Sequence, residues 1–493
     1  MINSSSQKIF NNSLLYTIGT VASKAVAFFL IPIYTYNLTA EEYGMANVIT
    51  TFVSTFGIVM MLSLRAAIMR FFNDYEGMER RKFIGTITLT VLTNSFTLCA
   101  ALCLLRGLYT DVLFKGIPFF PYVFLGIISL GTEGVYLIYQ SVLQAEQSGG
   151  RYSLNSFVYL TFNAITTILF VVVFKMHVLG VVLANLITNA GFAAYGLFEM
   201  IRRKYLKFSF DKVMFVKSIK YSLPILPHNL ANDVNIYANK VIISNLLSNA
   251  MTGIYSLASQ FASMVNLVQT SINLAFRPWF VEQMGKGNEG RAQIKYMTEM
   301  IMALFCFIAV CVCVFSREIV LIMADKQYLE AWKIIPLFVF VQLVTFIYYT
   351  HVQTLMYNLR ISKFTFVCSI SGLITNIILS VLLAKPLGVY GIALAQLAAK
   401  TVLSAIAVVM SNYAEKVDFG LKRMIVYLLA AVAFAGVSVA LSMCIGVYFN
   451  AFVSILLRLL VIAGAFAVYI WRYLEDFKTL IFGILRRKGH KNG

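Results

Sequence analysis

A soluble chain of 493 residues would form about three domains of ~150 residues each. Here, however, 60% of the residues are hydrophobic, only 12% are charged and the mean hydropathy is +0.80. This composition excludes a soluble enzyme, a DNA-binding domain and a secreted disulfide scaffold, even though a net charge of +19 would suggest nucleic acid in a soluble protein. Apolar runs of ~20 residues, each able to cross ~30 Å of hydrocarbon, recur almost end to end, so the sequence predicts an all-α polytopic membrane protein.

In chain order the runs predict spans near 14–36, 45–69, 84–105, 117–143, 154–174, 178–200, 221–244 and 252–276, then 298–316, 334–357, 364–384, 388–411, 424–447 and 452–472. The total is fourteen. The pairs at 154–200 and 364–411 are tight hairpins, and reading each as one span would give twelve. The first run is too long for a signal-peptide core and lacks a small-residue cleavage site, so it is expected to be retained.

Lysine and arginine fix the orientation, because cytoplasmic loops retain them. With the N-terminus inside, 29 of the 40 basic residues fall in inside segments, 7 in outside loops and 4 within spans. The strongest anchor is the basic stretch from Arg202 to Lys220. The expected topology is therefore N-in and C-in. The seven cysteines all lie in apolar runs, Cys311 and Cys313 have no second Cys/His pair nearby, and neither a disulfide framework nor a metal site is expected.

The chain repeats itself weakly. Leu38 to Met45 aligns with Leu247 to Ile254, and Gly180 to Leu186 with Gly391 to Leu397. Spans 1–6 and 7–12 are thus two copies. Because each copy has an even number of spans, they form parallel repeats related by an axis along the membrane normal. The expected organisation is an N-terminal lobe (1–210), a C-terminal lobe (211–415) and an appended pair with a basic cytoplasmic tail (416–493). Duplicated lobes with a site between them are the architecture of alternating-access transporters.

The stretches Ile31 to Gly44, Leu223-Pro224 through Asn239 to Ser244, Gly253 to Ala258 and Leu387 to Ala395 resemble the bacterial polysaccharide (O-antigen, Wzx-type) flippases of the multidrug/oligosaccharidyl-lipid/polysaccharide exporter superfamily. One departure is Asn239-Lys240, where these relatives commonly have Asp-Arg or Asp-Lys; if that Asp pairs with its neighbours, Lys240 is freer here. The resemblance implies a flippase that moves a polyprenyl-diphosphate-linked oligosaccharide for surface polysaccharide (lipopolysaccharide) biosynthesis, with a cationic cavity for the pyrophosphate.

Ionisable groups at mid-bilayer depth are costly and mark substrate paths. Lys24, Arg65, Lys240 and Arg277 lie on spans 1, 2, 7 and 8, the leading pair of each repeat, and are the candidate substrate-binding residues: ammonium and guanidinium groups suit a diphosphate. Arg65 and Arg277 have the alternative of snorkelling to headgroups. Lys400 and Arg458 are further intramembrane cations, and Arg458 either lines a lipid groove or pairs with a neighbour. Glu133, Asp233 and His228 are candidates for coupling to H+ or Na+, against a structural role that includes an Asp233–Lys240 pair. His351 reads as a satisfied polar group.

Nucleotide, metal and triad motifs are absent, so catalytic residues, cofactors and enzymatic chemistry are not expected, and an ion gradient is the expected driving force. A multidrug or cation antiporter of the same superfamily is the alternative, disfavoured by the scarcity of membrane acids. A membrane-embedded polysaccharide polymerase is a further one, disfavoured by short outer loops. Expected partners are the lipid-linked sugar, membrane lipids and a coupling ion; the expected state is a monomer.

Overall fold

The computed structural model describes residues 25–358, 365–444 and 451–474. Among these residues there is no strand, and fourteen long helices follow one another as the apolar runs require. We label them α1 Ala25–Asn37, α2 Ala40–Met61, α3 Gly77–Leu104, α4 Phe119–Ala145, α5 Gly149–Val173, α6 His177–Arg202, α7 Leu226–Leu246 and α8 Asn249–Met284. Then come α9 Gly287–Val314, α10 Ala331–Tyr357, α11 (365–387), α12 (389–414), α13 Leu421–Cys444 and α14 Ala451–Tyr469. Nine described helical stretches are long and apolar enough to cross a membrane, one of them containing both α11 and α12. The protein is an all-α polytopic membrane protein.

The helices outrun the apolar spans on the basic side. α3 begins at Gly77 and α9 at Gly287, because helical hydrogen bonding continues after the chain leaves hydrocarbon. α2 opens on a capping box, with Thr39 accepting from the Glu42 amide while Glu42 returns to the Thr39 amide. Both expected hairpins are present. Gly388 (φ 58°, ψ −141°) breaks the helical run, and a Cβ on Gly391 would lie 2.2 Å from the Leu383 carbonyl, so the chain has doubled back. Gly180 at the head of α6 likewise abuts the Phe170 backbone, at 3.0 Å from a would-be Cβ.

One feature differs from the sequence reading. The second span is not a single helix: Leu62 and Ser63 take left-handed conformations (φ 47° and 54°), and the chain restarts as a short helix, Leu64–Phe71. Non-glycine residues rarely adopt this conformation. The Asn229 side chain on α7 donates to Ser63 Oγ at 3.2 Å.

The chain divides into two compact units. The first contains α1–α7, the opening turns of α8 to Leu257, the segment Met323–Tyr328 and the hairpin tip Asn376–Ile392. Its core stacks Phe52 of α2 against Phe114 and Tyr237 of α7. Met323–Tyr328 is fixed by Thr35 donating to the Met323 carbonyl at 2.9 Å and by Tyr328 donating to the Leu38 carbonyl at 3.0 Å. The second unit contains the rest of α8, α9, α10, the remaining parts of α11 and α12, and the appended pair α13–α14. Arg458 of α14 is 4% exposed; its Nη1 ion-pairs with Glu318 and also donates to the Val314 carbonyl (3.1 Å), while its Nη2 donates to Ser442 Oγ (3.3 Å). Of the two roles open to Arg458, the structure gives it the pairing one.

Candidate functional site

α7 and α8 are absent from the nine strongly apolar helices. In α7 the reason is a ladder of polar residues, Asn229, Asn232, Asp233, Asn235, Asn239 and Lys240, in a segment that nevertheless packs against the apolar α2. Polar groups are retained at such depth where partners or a wet cavity compensate them.

Lys240 is the last member of this ladder. It is 8% exposed, and its Nζ donates to Thr51 Oγ1 at 2.6 Å and Asn47 Oδ1 at 3.1 Å, both on α2. Asn47 and Thr51 are one turn apart, so one helix face presents both acceptors. No carboxylate among the described residues pairs with Lys240. Asp233 is half-buried two turns earlier and forms no described ion pair; its backbone carbonyl accepts from Thr55 at 3.4 Å. The ammonium is therefore solvated by neutral oxygens.

Asn239, fully buried beside Lys240, joins three helices. Its Nδ2 donates to Tyr255 OH at 3.0 Å, and its Oδ1 accepts from Asn376 Nδ2 at 2.6 Å and Ser380 Oγ at 3.2 Å. The amide uses both its donor and its acceptor here, whereas a carboxylate would accept from the tyrosine hydroxyl instead. The departure at Asn239-Lys240 thus sits among neutral partners.

Arg65 lies just after the Leu62–Ser63 break, exposed, with Nε donating to Ser141 Oγ at 3.2 Å. Glu133 lines a cavity of about 140 Å³ with Thr50, Ser54, Tyr159, Asn185 and Asn189. Tyr159 donates to Asn189 Oδ1 at 2.6 Å, Asn189 donates to Ser129 Oγ at 3.0 Å, and Asn163 donates to Asn185 Oδ1 at 3.0 Å, so the wall is preorganised. A carboxyl in a small polar cavity can take up a proton or a monovalent cation.

Arg277 lies in the second unit, exposed, against the Met356 sulfur at 2.7 Å. Lys24 lies outside the described residues, as does the side chain of His228 in the first turn of α7. Lys400 is half-buried on α12. His351 is 3% exposed, with Nδ1 at 2.9 Å from the Ile347 carbonyl, a satisfied polar group as its sequence context suggested. Of the four proposed substrate cations, the first unit thus holds Arg65 and Lys240.

What the sequence reading missed is the uncharged half of the site: Asn47 and Thr51, Asn376 and Ser380, Asn185 and Asn189. Each is a polar pair at i, i+4 in an apolar helix, which was the available signal.

Known families and solved structures share this sequence pattern and fold. Residues 9–284 match the family described as polysaccharide biosynthesis protein, and residues 237–382 match the MatE family. The chain is a transporter of the multidrug/oligosaccharidyl-lipid/polysaccharide superfamily, and it belongs to the polysaccharide biosynthesis protein family. A Haemophilus influenzae relative, Lsg locus putative protein 1, is 25% identical over 288 residues; the match covers 56% of this chain and 66% of the relative's length. Among solved structures, the lipid II flippase MurJ in an inward closed conformation aligns over 94% of this chain and 99% of its own, with a TM-score of 0.72 and 16% identity. The Vibrio cholerae MATE transporter VcmN in its bent form aligns over 85% and 98%, with a TM-score of 0.56 and 15% identity. At these identities the likeness is one of fold.

Proposed function

We propose that this protein translocates a polyprenyl-diphosphate-linked oligosaccharide from the cytoplasmic to the outer leaflet of a bacterial cytoplasmic membrane, for surface polysaccharide assembly. The single observation that supports this most is Lys240: a buried ammonium deep in a span, held by neutral oxygens on α2 and without a carboxylate partner among the described residues. Keeping an uncompensated lysine there costs ~2.5–3.5 kcal/mol on insertion scales, a cost that an anionic substrate offsets. Lys24, Arg65 and Arg277 are the further candidates for holding the diphosphate in this reading, while the polyprenyl tail stays in lipid. Alternating access is driven by an ion gradient, with Glu133 as coupling group and Asp233 and His228 as further candidates. The protein works as a monomer with both termini in the cytoplasm.

The test is the Lys24→Ala/Lys240→Ala double variant, assayed for translocation of lipid-linked sugar in a host deleted for the gene. Loss of translocation with normal membrane expression is expected, whereas unchanged transport overturns the cationic site. Deletion itself should remove surface polymer and accumulate the inward-facing diphosphate lipid. Intact polymer with altered drug tolerance would instead favour a multidrug exporter.

A further inference from the structure

A second cavity, larger than the one at Glu133, is unrelated to the Lys240 and Glu133 sites. It lies wholly in the second unit, has a volume of about 1450 Å³, and is formed by the first turns of α9 and α13 and the last turns of α10, α12 and α14. These five helix ends share one side of the bundle, the side that the lysine and arginine distribution assigns to the cytoplasm. Six charged residues line the cavity: Lys295, Lys416, Lys422 and Arg423 against Glu299 and Asp418. Lys295 pairs with Asp418 at 2.6 Å, and Arg423 pairs with Glu299, whose side chain is only 4% exposed. Lys416 and Lys422 are exposed and form no ion pair among the described residues. The cavity therefore carries two cations in excess.

The site is built rather than incidental. The linker between α12 and α13 is pinned by Arg291 to Glu415 at 2.6 Å, by Thr298 donating to the Phe419 carbonyl at 2.9 Å, and by the Gly420 amide donating to Asp418 at 2.8 Å. Gly420 takes φ +74°, and a Cβ there would lie 2.4 Å from a Glu299 oxygen, so glycine is what lets the linker close onto the buried carboxylate. Phe419 packs its ring on His351 at 4.6 Å to form the floor. Below the charged rim the wall turns apolar through Val408, Val426 and Val468.

A rim of uncompensated lysines above an apolar wall at the end of a helical bundle has the chemistry of a phospholipid site: phosphate to the ammonium groups, acyl chains along the valines. We infer that this cavity binds the headgroup of an anionic membrane phospholipid, and that the α12–α13 linker is its recognition element. This does not depend on which substrate the transporter carries.

The experiment uses the full-length protein in detergent, titrated with phosphatidylglycerol, with phosphatidylcholine and with sodium pyrophosphate, and read by native mass spectrometry and by the thermal midpoint. Phosphatidylglycerol should bind and raise the midpoint, and phosphatidylcholine should do neither. In Lys416→Gln/Lys422→Gln, whose exposed side chains leave the fold intact, phosphatidylglycerol binding should weaken roughly 30-fold, from ~1 kcal/mol for each lysine near a headgroup. Equal binding of both lipids, or equal binding of phosphatidylglycerol by wild type and the double variant, overturns the site. Lysine-dependent binding of pyrophosphate without any lipid preference overturns the lipid assignment and gives the cavity to a soluble phosphate.

Discussion

Gly44 and Gly253, which hold equivalent places in the two repeats, pack against each other reciprocally. A Cβ on Gly44 would lie 1.9 Å from the Asn249 carbonyl oxygen, and one on Gly253 would lie 2.1 Å from the Ala40 carbonyl oxygen. Ala40 and Asn249 are themselves equivalent in the aligned stretches, so residue and partner exchange as across a two-fold axis. Ala40-xxx-Gly44 is a small-xxx-small motif, and with Gly253 opposite it the two helices approach backbone to backbone.

The obstruction at Gly44 and Gly253 is backbone, which cannot swing aside as a side chain does. Gly44→Ala and Gly253→Ala should each destabilise the protein by about 1–3 kcal/mol, the usual cost of overpacking, and Gly44→Leu should also abolish translocation. Thermal midpoints of the purified variants check this. Wild-type stability in Gly44→Ala would show that the helices do not meet as described.

Arg458 is buried, whereas the side chain of its partner Glu318 is 37% exposed. Arg458→Leu alone leaves Glu318 and the Val314 carbonyl without their donor and should cost about 1–3 kcal/mol, whereas Arg458→Leu/Glu318→Leu should recover part of that loss. Thermal denaturation of the single and double variants measures the coupling. A double variant as unstable as the single one would mean that Arg458 acts chiefly through the Val314 carbonyl and Ser442.

Glu133→Gln keeps the size of the side chain and removes the ionisable oxygen. If Glu133 couples transport, the variant should fold normally and bind substrate, yet accumulation should no longer respond to an imposed proton or sodium gradient. A gradient response equal to wild type excludes Glu133 and leaves Asp233 and His228.

The Asp418 carboxyl is held below its usual range, first by the hydrogen bond from Lys295, then by the Gly420 amide and by the charges of Lys295 and Lys422. A depressed carboxyl contributes stability above its unfolded value of about 3.9 and loses it as pH falls through the folded value. Asp418 is largely exposed, so the contribution is at most ~1 kcal/mol and is screened by salt. Wild type and Asp418→Asn should differ by the same small amount at pH 7 and pH 5 and converge in stronger acid. A difference that grows on acidification contradicts the assignment.

Much of the fold was legible because the bilayer imposes one rule on every segment: ~20 apolar residues per crossing and basic residues on one side. The hairpins at Gly180 and Gly391 followed from the same arithmetic. The partner of Arg458 did not, since Glu318 falls just beyond an apolar run and reads as a loop residue, whereas it stands on the short helix Ser316–Met323. The break at Leu62–Ser63 left no trace either, because neither residue is a glycine or proline. At the candidate site the charged residues announced themselves by their cost, while their neutral partners did not. Thr51 and Asn47 acquire meaning only when α7 is laid against α2, a pairing that local periodicity does not encode.

That same pairing bears on how the chain enters the membrane. α7 carries Lys240 and a run of asparagines, and a lysine at the centre of a helix disfavours lateral release from the translocon by ~2.5–3.5 kcal/mol. The oxygens that satisfy it on α2 were synthesised 193 and 189 residues earlier. Biogenesis of the second repeat therefore has a template: the first repeat must already be in the bilayer, with its Asn47 and Thr51 face open, before α7 can leave the insertion machinery at little cost.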